Sequence, residues 1–306
     1  MNIINKDRIA IITPAKGFFY EAPQREGYKV FNPYVEHNLF ERVLRELCFR
    51  LPFLPHKIWF DKRIAKENPQ YVLISDPLIT REYLEWLHEL FPNAQLNYTY
   101  TNMVGKAKHL LPSEIPTYYR IWTYDSYDSE KYGLRLSKTD SYFKNYVKPK
   151  EPTQYDVIYV GSDKGRGEYL LQLESKMKEI GLRTKFLIVA DGRLSKRKSY
   201  YHKWVEYEEI IDMIVKSKSI LNVALENQKG ITMRDMESLF FDVKLLTTNK
   251  NIKNTYIYHP NNVFFIDGLN IDGLKEFMSL PHIRISEDIK DSHSYDNYIE
   301  EIITTP

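Results

Sequence analysis

Short apolar runs rich in β-branched residues alternate with amphipathic segments along the chain, and the alternation occurs twice. This pattern is typical of parallel sheets covered by helices, so the sequence predicts an α/β protein. The first series predicts strands at residues 8–12, 57–60, 71–75, 95–100 and 120–124, and helices at residues 33–50 and 80–91. The second series predicts strands at residues 156–160, 184–189, 220–224, 244–248 and 263–266, and helices at residues 167–180, 207–217, 232–241 and 274–280.

A polar stretch, KPKEPTQ at residues 148–154, separates the two series, and its prolines and charges are typical of a linker. We therefore expect an N-terminal domain at residues 1–150 and a C-terminal domain at residues 151–290. Residues 291–306 predict an amphipathic helix that packs back toward the N-terminal domain. The apolar positions of this helix recur at helical spacing: Tyr295, Tyr298, Ile299, Ile302 and Ile303.

The predicted helix at residues 33–50 has a strong pattern of its own. Asn32 is placed to cap it, and Pro33 suits its first turn. Its apolar residues share one face, which we expect to be the inner one: Leu39, Val43, Leu44 and Leu47.

Composition and charge narrow the function classes. With 43 Lys and Arg against 41 Asp and Glu, the net charge is +2, which gives no whole-molecule basis for binding nucleic acid. A single cysteine, Cys48, excludes an intramolecular disulfide and a multi-cysteine metal site. The first ten residues lack the apolar core of a signal peptide, and no run approaches the roughly 20 apolar residues of a membrane span. We expect a cytoplasmic protein, with peripheral contact at the inner face of a membrane as an option.

The most informative stretch is NQKGITMRDMESLFFDVKLLTTN at residues 227–249. Gly230 supplies a turn and Ile231 leads into Thr232, an N-cap whose spacing to Asp235 predicts a capping box. The helix that starts here would point its amides and the positive end of its dipole at an anionic diphosphate.

The side chains of this helix suggest further contacts. Arg234 could pair with phosphate oxygens, and Glu237 could accept hydrogen bonds from a ribose diol. From their spacing alone, an exposed intrahelical salt bridge between the two is the favoured alternative. The remaining apolar residues of the helix are expected in the core: Met233, Met236 and Phe240.

A second stretch, YVGSDKGRG at residues 159–167, follows the first strand of the C-terminal domain, where ligands of open α/β sheets bind. Lys164 and Arg166 are two cations on a backbone made flexible by Gly161, Gly165 and Gly167. The spacing fits neither the dinucleotide fingerprint nor the P-loop, so a solvated turn is an equal alternative.

Together, VGSDKGR and GITMRDMESLFFDVKLLTTN resemble the GT-B glycosyltransferases, and more narrowly those of bacterial lipopolysaccharide-core and capsular or exopolysaccharide biosynthesis. The resemblance is specific over residues 155–265. It implies two Rossmann-like domains with parallel sheets facing an interdomain cleft. It also implies a donor diphosphate on Lys164 or Arg166, phosphate contacts from the helix start at residues 230–232, and a ribose held by Glu237. Many of these enzymes carry a second glutamate where this chain has Gly230.

Glycosyl transfer also needs a stabilised leaving group and, in inverting enzymes, a base. The chain has no Asp-x-Asp pair, which favours stabilisation without a metal or other cofactor. Asp76 and Asp125 follow predicted strands and are the candidate acceptor bases, although a cap or turn role is the favoured alternative for each. Lys16 and Gly17, in the early Pro-Ala-Lys-Gly turn, are candidates for an acceptor or glycine loop.

We therefore expect a metal-independent glycosyltransferase that uses a nucleoside-diphosphate sugar, UDP-linked by preference, and a glycan, glycolipid or glycoprotein acceptor in cell-surface polysaccharide biosynthesis. A sugar-nucleotide epimerase and a non-catalytic partner subunit are the alternatives. The basic run at residues 193–203, RLSKRKSYYHK, could contact an anionic bilayer, with a solvated loop favoured. A homo-oligomer or a partner transferase stays open.

Overall fold

The computed structural model describes residues 5–35, 38–51, 54–106, 109–137, 146–192 and 198–306. The chain divides into two compact units. Unit 1 comprises Met1–Thr139 and Tyr295–Pro306, and unit 2 comprises Asp140–Ser294. Each unit is built on one parallel sheet, so the α/β class and the two parallel sheets expected from the sequence are confirmed.

The strands run in parallel pairs in both sheets. Unit 1 has a six-stranded sheet in the order β2-β1-β3-β4-β5-β6, and unit 2 has a five-stranded sheet in the order β11-β10-β9-β7-β8. The strands are β1 (Ile9–Ile12), β2 (Lys29–Phe31), β3 (Tyr71–Ser75), β4 (Gln95–Tyr100), β5 (Arg120–Thr123), β6 (Arg135–Leu136), β7 (Tyr155–Ser162), β8 (Thr184–Val189), β9 (Ser217–Asn222), β10 (Lys244–Thr247) and β11 (Val263–Phe265).

The helices that cover the sheets are short. They are α1 (Phe18–Arg25), α2 (Leu39–Cys48), α3 (Arg81–Leu90), α4 (Ser126–Tyr132), α5 (Gly167–Glu179), α6 (Tyr207–Val215), α7 (Met233–Phe240), α8 (Leu274–Ser279), α9 (Glu287–Ser292) and α10 (Tyr295–Thr304). Within the described ranges, no helix combines the length and the apolar character that crossing a bilayer requires.

Two expectations for unit 1 were wrong. The predicted strand at residues 57–60 is a 3₁₀ turn at His56–Trp59, followed by an isolated bridge between Phe60 and Tyr34. The predicted helix at residues 33–50 begins only at Leu39, because Asn38 caps it through a 2.9 Å hydrogen bond from the Glu41 amide.

The orientation of α2 also differs from the expectation. Val43 and Leu47, expected on the inner face, are each 48% exposed, and Leu44 is 40% exposed. The side chain of Leu39 lies outside the described residues. The buried position is Arg45, whose guanidinium lies 4.6 Å from the centre of the Tyr34 ring. The helix therefore turns a cationic side chain toward the protein and its apolar stripe toward solvent.

The last helix completes the core of unit 1. Ile299 and Ile302 of α10 are fully buried and pack with Ile9 and Ile11 of β1. At the start of the same helix, Asp296 accepts a 2.7 Å hydrogen bond from the Tyr28 hydroxyl. The first strand and the last helix of the chain thus share one apolar cluster.

Unit 2 is organised around β7, which pairs with β8 on one side and β9 on the other. The stretch at residues 148–154 lies against this unit, because the Glu151 amide donates to the Val215 carbonyl and the Gln154 amide donates to the Lys216 carbonyl. The core of unit 2 is formed by Val157, Leu170, Leu221, Leu246 and Leu274, among others.

Candidate functional site

The carboxyl edge of the unit 2 sheet collects the residues that the sequence singled out. In an open α/β sheet, loops after the carboxyl ends of the strands form the ligand site. The turn between β7 and α5 and the segment between β9 and α7 both lie at this edge, since β7 and β9 are neighbours. These two segments hold Lys164, Arg166, Gly230, Ile231 and Thr232, and the remaining predicted donor-site residues lie on the elements beside them, Gly161 at the end of β7 and Arg234 and Glu237 in α7.

A buried carboxylate, Asp163, fixes the first of these turns. Its Oδ1 accepts from the Gly167 amide at 2.7 Å, and its Oδ2 accepts from the hydroxyls of Tyr201 at 2.6 Å and Tyr200 at 3.0 Å. The Lys198 ammonium lies 3.2 Å from the same oxygen. Burial alone would raise the pKa of Asp163, but these hydrogen bonds hold it well below its usual value. Asp163 therefore ties the segment at residues 198–201 to the start of α5.

The basic run at residues 193–203 is placed only in part. Residues 193–197 lie outside the described residues. Lys198, in the described part, is drawn toward Asp163, so this part of the run is bound within unit 2.

Lys164 has a left-handed backbone conformation, with φ of 46°, and is followed by Gly165 with φ of 78°. The Lys164 amide donates a 2.7 Å hydrogen bond to Asp191, which holds the turn in this shape. The side chain is exposed as a whole. Partial burial of the ammonium and the nearby charge of Arg166 lower the pKa of Lys164. The negative charge of Asp191 opposes this lowering of the pKa only in part.

Arg166 has a different role from Lys164. Its guanidinium donates to the carbonyls of Val223 and Ser162 and to the hydroxyl of Tyr159. These contacts join the ends of β7 and β9. No carboxylate lies within ion-pair distance of Arg166 in the part of the chain that the structure describes. Arg166 therefore braces the two strand ends and leaves its positive charge uncompensated at the edge of the sheet.

The start of α7 is held by a polar cluster. The predicted capping box is present, because the Asp235 carboxylate accepts from the Thr232 amide at 2.7 Å. Asn222, the last residue of β9, donates to the Thr232 hydroxyl at 3.0 Å and to Asp235 at 2.8 Å. Asp235 is fully buried, and this burial raises its pKa to about 6 against the effect of the hydrogen bonds. The N-terminus of α7 is thus fixed to the end of a central strand.

The first amides of α7 are available to a ligand. The first N–H groups of a helix have no acceptor within the helix. Among the described residues, no acceptor lies against the amides of Met233 and Arg234. The Met233 side chain, expected in the core, is 38% exposed, because it stands at the first position of the helix. Met236 and Phe240 are buried as expected.

The loop before α7 is attached to the next strand. Asn249, after β10, donates to the carbonyl of Gly230 at 3.2 Å. Ile231 packs against the small apolar cluster of Leu245, Ile252 and Val263. Gly230 and Ile231, which lead into α7, are therefore held in place by β10 and the residues after it.

Arg234 and Glu237 form an ion pair, the alternative that their spacing favoured, but the pair is not an exposed one. The Glu237 side chain is only 1% exposed and that of Arg234 is 20% exposed. The Tyr207 hydroxyl donates to Glu237 at 2.8 Å, and the second arm of the Arg234 guanidinium donates to the carbonyl of Val160. Burial opposes the charge on Arg234, but Glu237 raises its pKa above the ordinary value. Glu237 thus holds Arg234 against the end of β7.

This arrangement bears on the ribose contact expected of Glu237. A carboxylate binds a diol through open lone pairs on an accessible face. Both oxygens of Glu237 already accept hydrogen bonds inside unit 2, from Tyr207 and from Arg234. In this structure Glu237 is engaged within unit 2, and its contact with a ribose stays a prediction.

Asp76 of unit 1, a candidate base, is buried at the carboxyl end of β3. Its Oδ2 accepts from His109 Nδ1 at 2.8 Å, since His109 Nε2 accepts from the Gly105 amide. Its Oδ1 accepts from the amide and the hydroxyl of Thr101. The side chains of Asp76 and His109 have no exposed area. Asp76 therefore ties together the loops after β3 and β4.

Asp125, the second candidate base, caps α4. Its side chain accepts from the Tyr127 amide at 2.9 Å, and the residue is fully buried. Asp128, one turn further on, accepts from the Val104 amide at 2.8 Å. Burial and the nearby charge of Asp125 raise the pKa of Asp128. Asp125 thus takes the capping role that was favoured for it.

Lys16 and Gly17 follow β1 in unit 1. Lys16 is exposed, and Gly17 has φ of 60° and stands at the N-cap of α1. Nearby, unit 1 has a cavity of about 1000 Å³. Its charged lining is Lys16, Arg42, Arg45, Asp61, Lys62, Arg63 and Lys66. The lining has six cations and one carboxylate, so this cavity is basic.

Sequence reasoning missed the residues that support the site. Asp163 stands inside the recognised YVGSDKGRG stretch, but its partners Tyr200 and Tyr201 are 37 and 38 residues away. Tyr207 is 30 residues from Glu237. Asn222 lies inside the strand predicted at residues 220–224 and is the last residue of β9 in the structure, so no local signal in the sequence indicated its capping role. Among the residues that the structure describes, no three His, Cys, Asp or Glu side chains form a group suited to a metal ion.

No protein-family model matches the sequence, and neither does any curated protein. Solved structures match the fold. A DNA-modifying β-glucosyltransferase, determined in the presence and absence of uridine diphosphoglucose, matches with a TM-score of 0.52 and 13% identity, over 97% of this chain and 99% of that chain. AviGT4, a glycosyltransferase involved in avilamycin A biosynthesis, matches with a TM-score of 0.59 and 9% identity, over 96% of each chain. At these identities the likeness shows the fold, and the GT-B fold class expected from the sequence is confirmed.

Proposed function

We propose that this protein is a glycosyltransferase that transfers a sugar from a nucleoside-diphosphate sugar, with the donor held at the carboxyl edge of the unit 2 sheet. The observation that carries the proposal is the contact of Arg234 with the Val160 carbonyl. This contact brings the first turn of α7 to the end of β7, where the turn bearing Lys164 begins. Two anion-binding features, a helix start and a cationic turn, therefore lie at neighbouring strand ends.

The charges at this edge suit a diphosphate. Lys164, an exposed residue, supplies a partly buried ammonium, and Arg166 supplies a guanidinium without a paired carboxylate among the described residues. The amides of Met233 and Arg234 add two donors in line with the dipole of α7. As the glycosidic bond breaks, negative charge develops on the departing diphosphate, and these groups stabilise it without a metal.

In the proposed site Glu237 acts by holding Arg234 in position. Its carboxylate and the Tyr207 hydroxyl fix the guanidinium, and the exposed fifth of Arg234 is what a phosphate would meet. A direct Glu237 contact with the ribose requires the Tyr207 hydrogen bond or the Arg234 pair to open when the donor binds.

The biological context in the proposal is cell-surface polysaccharide biosynthesis, with a glycan, glycolipid or glycoprotein as acceptor. The support is the resemblance carried by VGSDKGR and GITMRDMESLFFDVKLLTTN, two stretches that follow the neighbouring strands β7 and β9. Acceptor contacts would fall to unit 1, where Lys16 and the basic cavity follow β1.

Thermal unfolding of the purified protein with UDP, GDP and CMP tests the donor site. The proposal expects one nucleotide to raise the unfolding temperature of the wild type and to have a smaller effect on Lys164→Ala. Lys176→Ala, an exposed lysine within α5, is the matched control and should behave as the wild type. A nucleotide effect that is equal in wild type, Lys164→Ala and Lys176→Ala would argue against the proposed site.

Mass spectrometry of the reaction products distinguishes the proposed transferase from the two alternatives, an epimerase and a non-catalytic subunit. A transferase releases the nucleoside diphosphate from its donor and increases the mass of the acceptor, and it does so with EDTA present. An epimerase leaves the mass of the nucleotide sugar unchanged. Absence of nucleotide binding and of turnover would assign the chain to the non-catalytic alternative.

A further inference from the structure

Helix α2 exposes an apolar stripe that the described part of the chain leaves uncovered. Phe40 is 70% exposed, Val43 and Leu47 are 48% exposed, and Leu44 is 40% exposed. At 3.6 residues per turn these four positions share one face of the helix. Burying such a face is the usual reason for an amphipathic helix to form, so an uncovered one indicates an interaction surface.

The stripe continues beyond the helix. Leu51, three residues after the end of α2, is 41% exposed, and Ile58 in the following 3₁₀ turn is 63% exposed. The opposite side of α2 is occupied, because Arg45 and Cys48 are buried against unit 1. The helix therefore packs on unit 1 through the side that carries Arg45 and Cys48, and its apolar side faces solvent.

Positive charge surrounds this surface. Residues 38–66 contain seven Lys or Arg and three Asp or Glu, a net charge of +4, whereas the whole chain carries +2. Arg42 and Arg50 are exposed beside the stripe. Lys62 and Lys66, on the rim of the basic cavity that Arg42 also lines, are exposed as well.

The positive charge around the stripe favours an anionic membrane over a second copy of this chain as its binding partner. In a symmetric dimer the same patch meets itself, so two surfaces of +4 would face each other and repel. An anionic bilayer instead offers an apolar interior for the stripe and negative headgroups for the cations, and amphipathic helices with basic flanks bind such surfaces.

We propose that the exposed face of α2 docks this protein on an anionic membrane surface, with Phe40, Val43, Leu44 and Leu47 entering the headgroup region and the basic residues around them contacting lipid phosphates. The surface differs from the run at residues 193–203 that the sequence suggested for membrane contact. The inference goes beyond the proposed transferase activity and does not depend on the donor site.

Flotation with vesicles tests the proposal. The wild type should float with vesicles of equal parts phosphatidylglycerol and phosphatidylcholine, and less with phosphatidylcholine alone. The double variant Val43→Ser with Leu47→Ser should lose roughly tenfold or more of this binding, because the apolar area transferred is reduced. Leu136→Ser, at an exposed leucine of β6 in the same unit, is the control and should float as the wild type.

A charge arm completes the test. Arg50→Glu with Lys66→Glu should weaken binding to the anionic vesicles, and added salt should weaken wild-type binding. Because the replaced side chains are exposed, the unfolding temperature should stay unchanged in every variant.

Equal flotation of wild type and of the Val43→Ser, Leu47→Ser variant would overturn the proposal. So would a wild-type dimer in sedimentation that this double variant abolishes, since the face would then belong to a second copy. The nucleotide-induced thermal shift is read separately, so failure here does not touch the donor site.

Discussion

The Tyr207 hydroxyl in α6 donates a 2.8 Å hydrogen bond to Glu237 in α7, although the two residues are 30 positions apart in the sequence. Glu237 in turn binds Arg234, so one phenol positions the guanidinium that reaches the end of β7. Because the carboxylate is buried, we expect its two partners to affect stability as well as the proposed donor site.

The Tyr207→Phe variant removes one donor from the buried Glu237 carboxylate. We expect the free energy of unfolding of unit 2 to fall by about 1–3 kcal/mol, the cost of leaving a buried polar group short of a partner. Glu237→Gln should cost more, about 3–5 kcal/mol, since it leaves Arg234 without its counter-charge. Urea unfolding measures both, with Tyr155→Phe, a partly exposed tyrosine of β7, as the control. Equal stability of Tyr207→Phe and the wild type would contradict this prediction.

Gly167 stands where α5 begins, and a Cβ there would lie 2.3 Å from the Tyr200 hydroxyl oxygen and 2.8 Å from Asp163 Oδ2. Gly167→Ala must therefore displace the groups that hold the β7 to α5 turn. We expect a loss of about 1–3 kcal/mol in the free energy of unfolding and a weaker nucleotide response. Gly192→Ala, whose Cβ would meet no atom of the described residues within 4 Å, is the matched control. A neutral Gly167→Ala would show that Tyr200 moves freely.

Asp163 predicts a dependence of stability on pH. Its folded pKa is held below the unfolded value of about 3.9, so its contribution is fully present above that pH and is lost as the pH falls through the folded value. The stability gap between wild type and Asp163→Asn should therefore be constant near neutral pH and shrink below about pH 4. Asp272→Asn, at an exposed carboxylate, should show no such gap. A gap independent of pH would mean that charge is not the source of the stabilisation.

The Asp76→Asn variant tests whether Asp76 has a structural role or a catalytic one. Asp76→Asn cannot accept every hydrogen bond that Thr101 and His109 now donate, so we expect unit 1 to lose about 1–3 kcal/mol. If its role is structural, kcat per folded molecule stays near the wild-type value. A fall in kcat of roughly 100-fold or more in a stably folded Asp76→Asn protein would instead restore Asp76 as the acceptor base.

The extent to which the sequence predicts the structure differs between elements. β3, β4 and β8 have the predicted bounds, because apolar residues that are consecutive, as in β3, or alternate with polar ones, as in β4, specify a strand locally. β2 has three residues, too few for a periodic signal, and it was not predicted. For α2 the pattern identified the apolar stripe but not its direction, since periodicity defines a face without saying what covers it.

The candidate site shows the same limit. The capping box of Thr232 and Asp235 and the pair of Arg234 and Glu237 are local, and both are present. Their burial was not predicted, because it depends on Tyr207 and Asn222, which the fold brings from other elements. The contact of Arg166 with the Val223 carbonyl was likewise not predicted, because the two residues are 57 positions apart in the sequence.

The shared cluster of β1 and α10 makes unit 1 discontinuous in sequence. A fragment that stops near residue 139 would leave Ile9 and Ile11 without the two isoleucines that cover them, so it should expose apolar surface and aggregate when expressed alone. During synthesis the first half of the chain must wait, incompletely packed, until the ribosome has released residues 295–306. A fusion that joins α10 directly to the end of that fragment would remove the delay and give a self-contained N-terminal module.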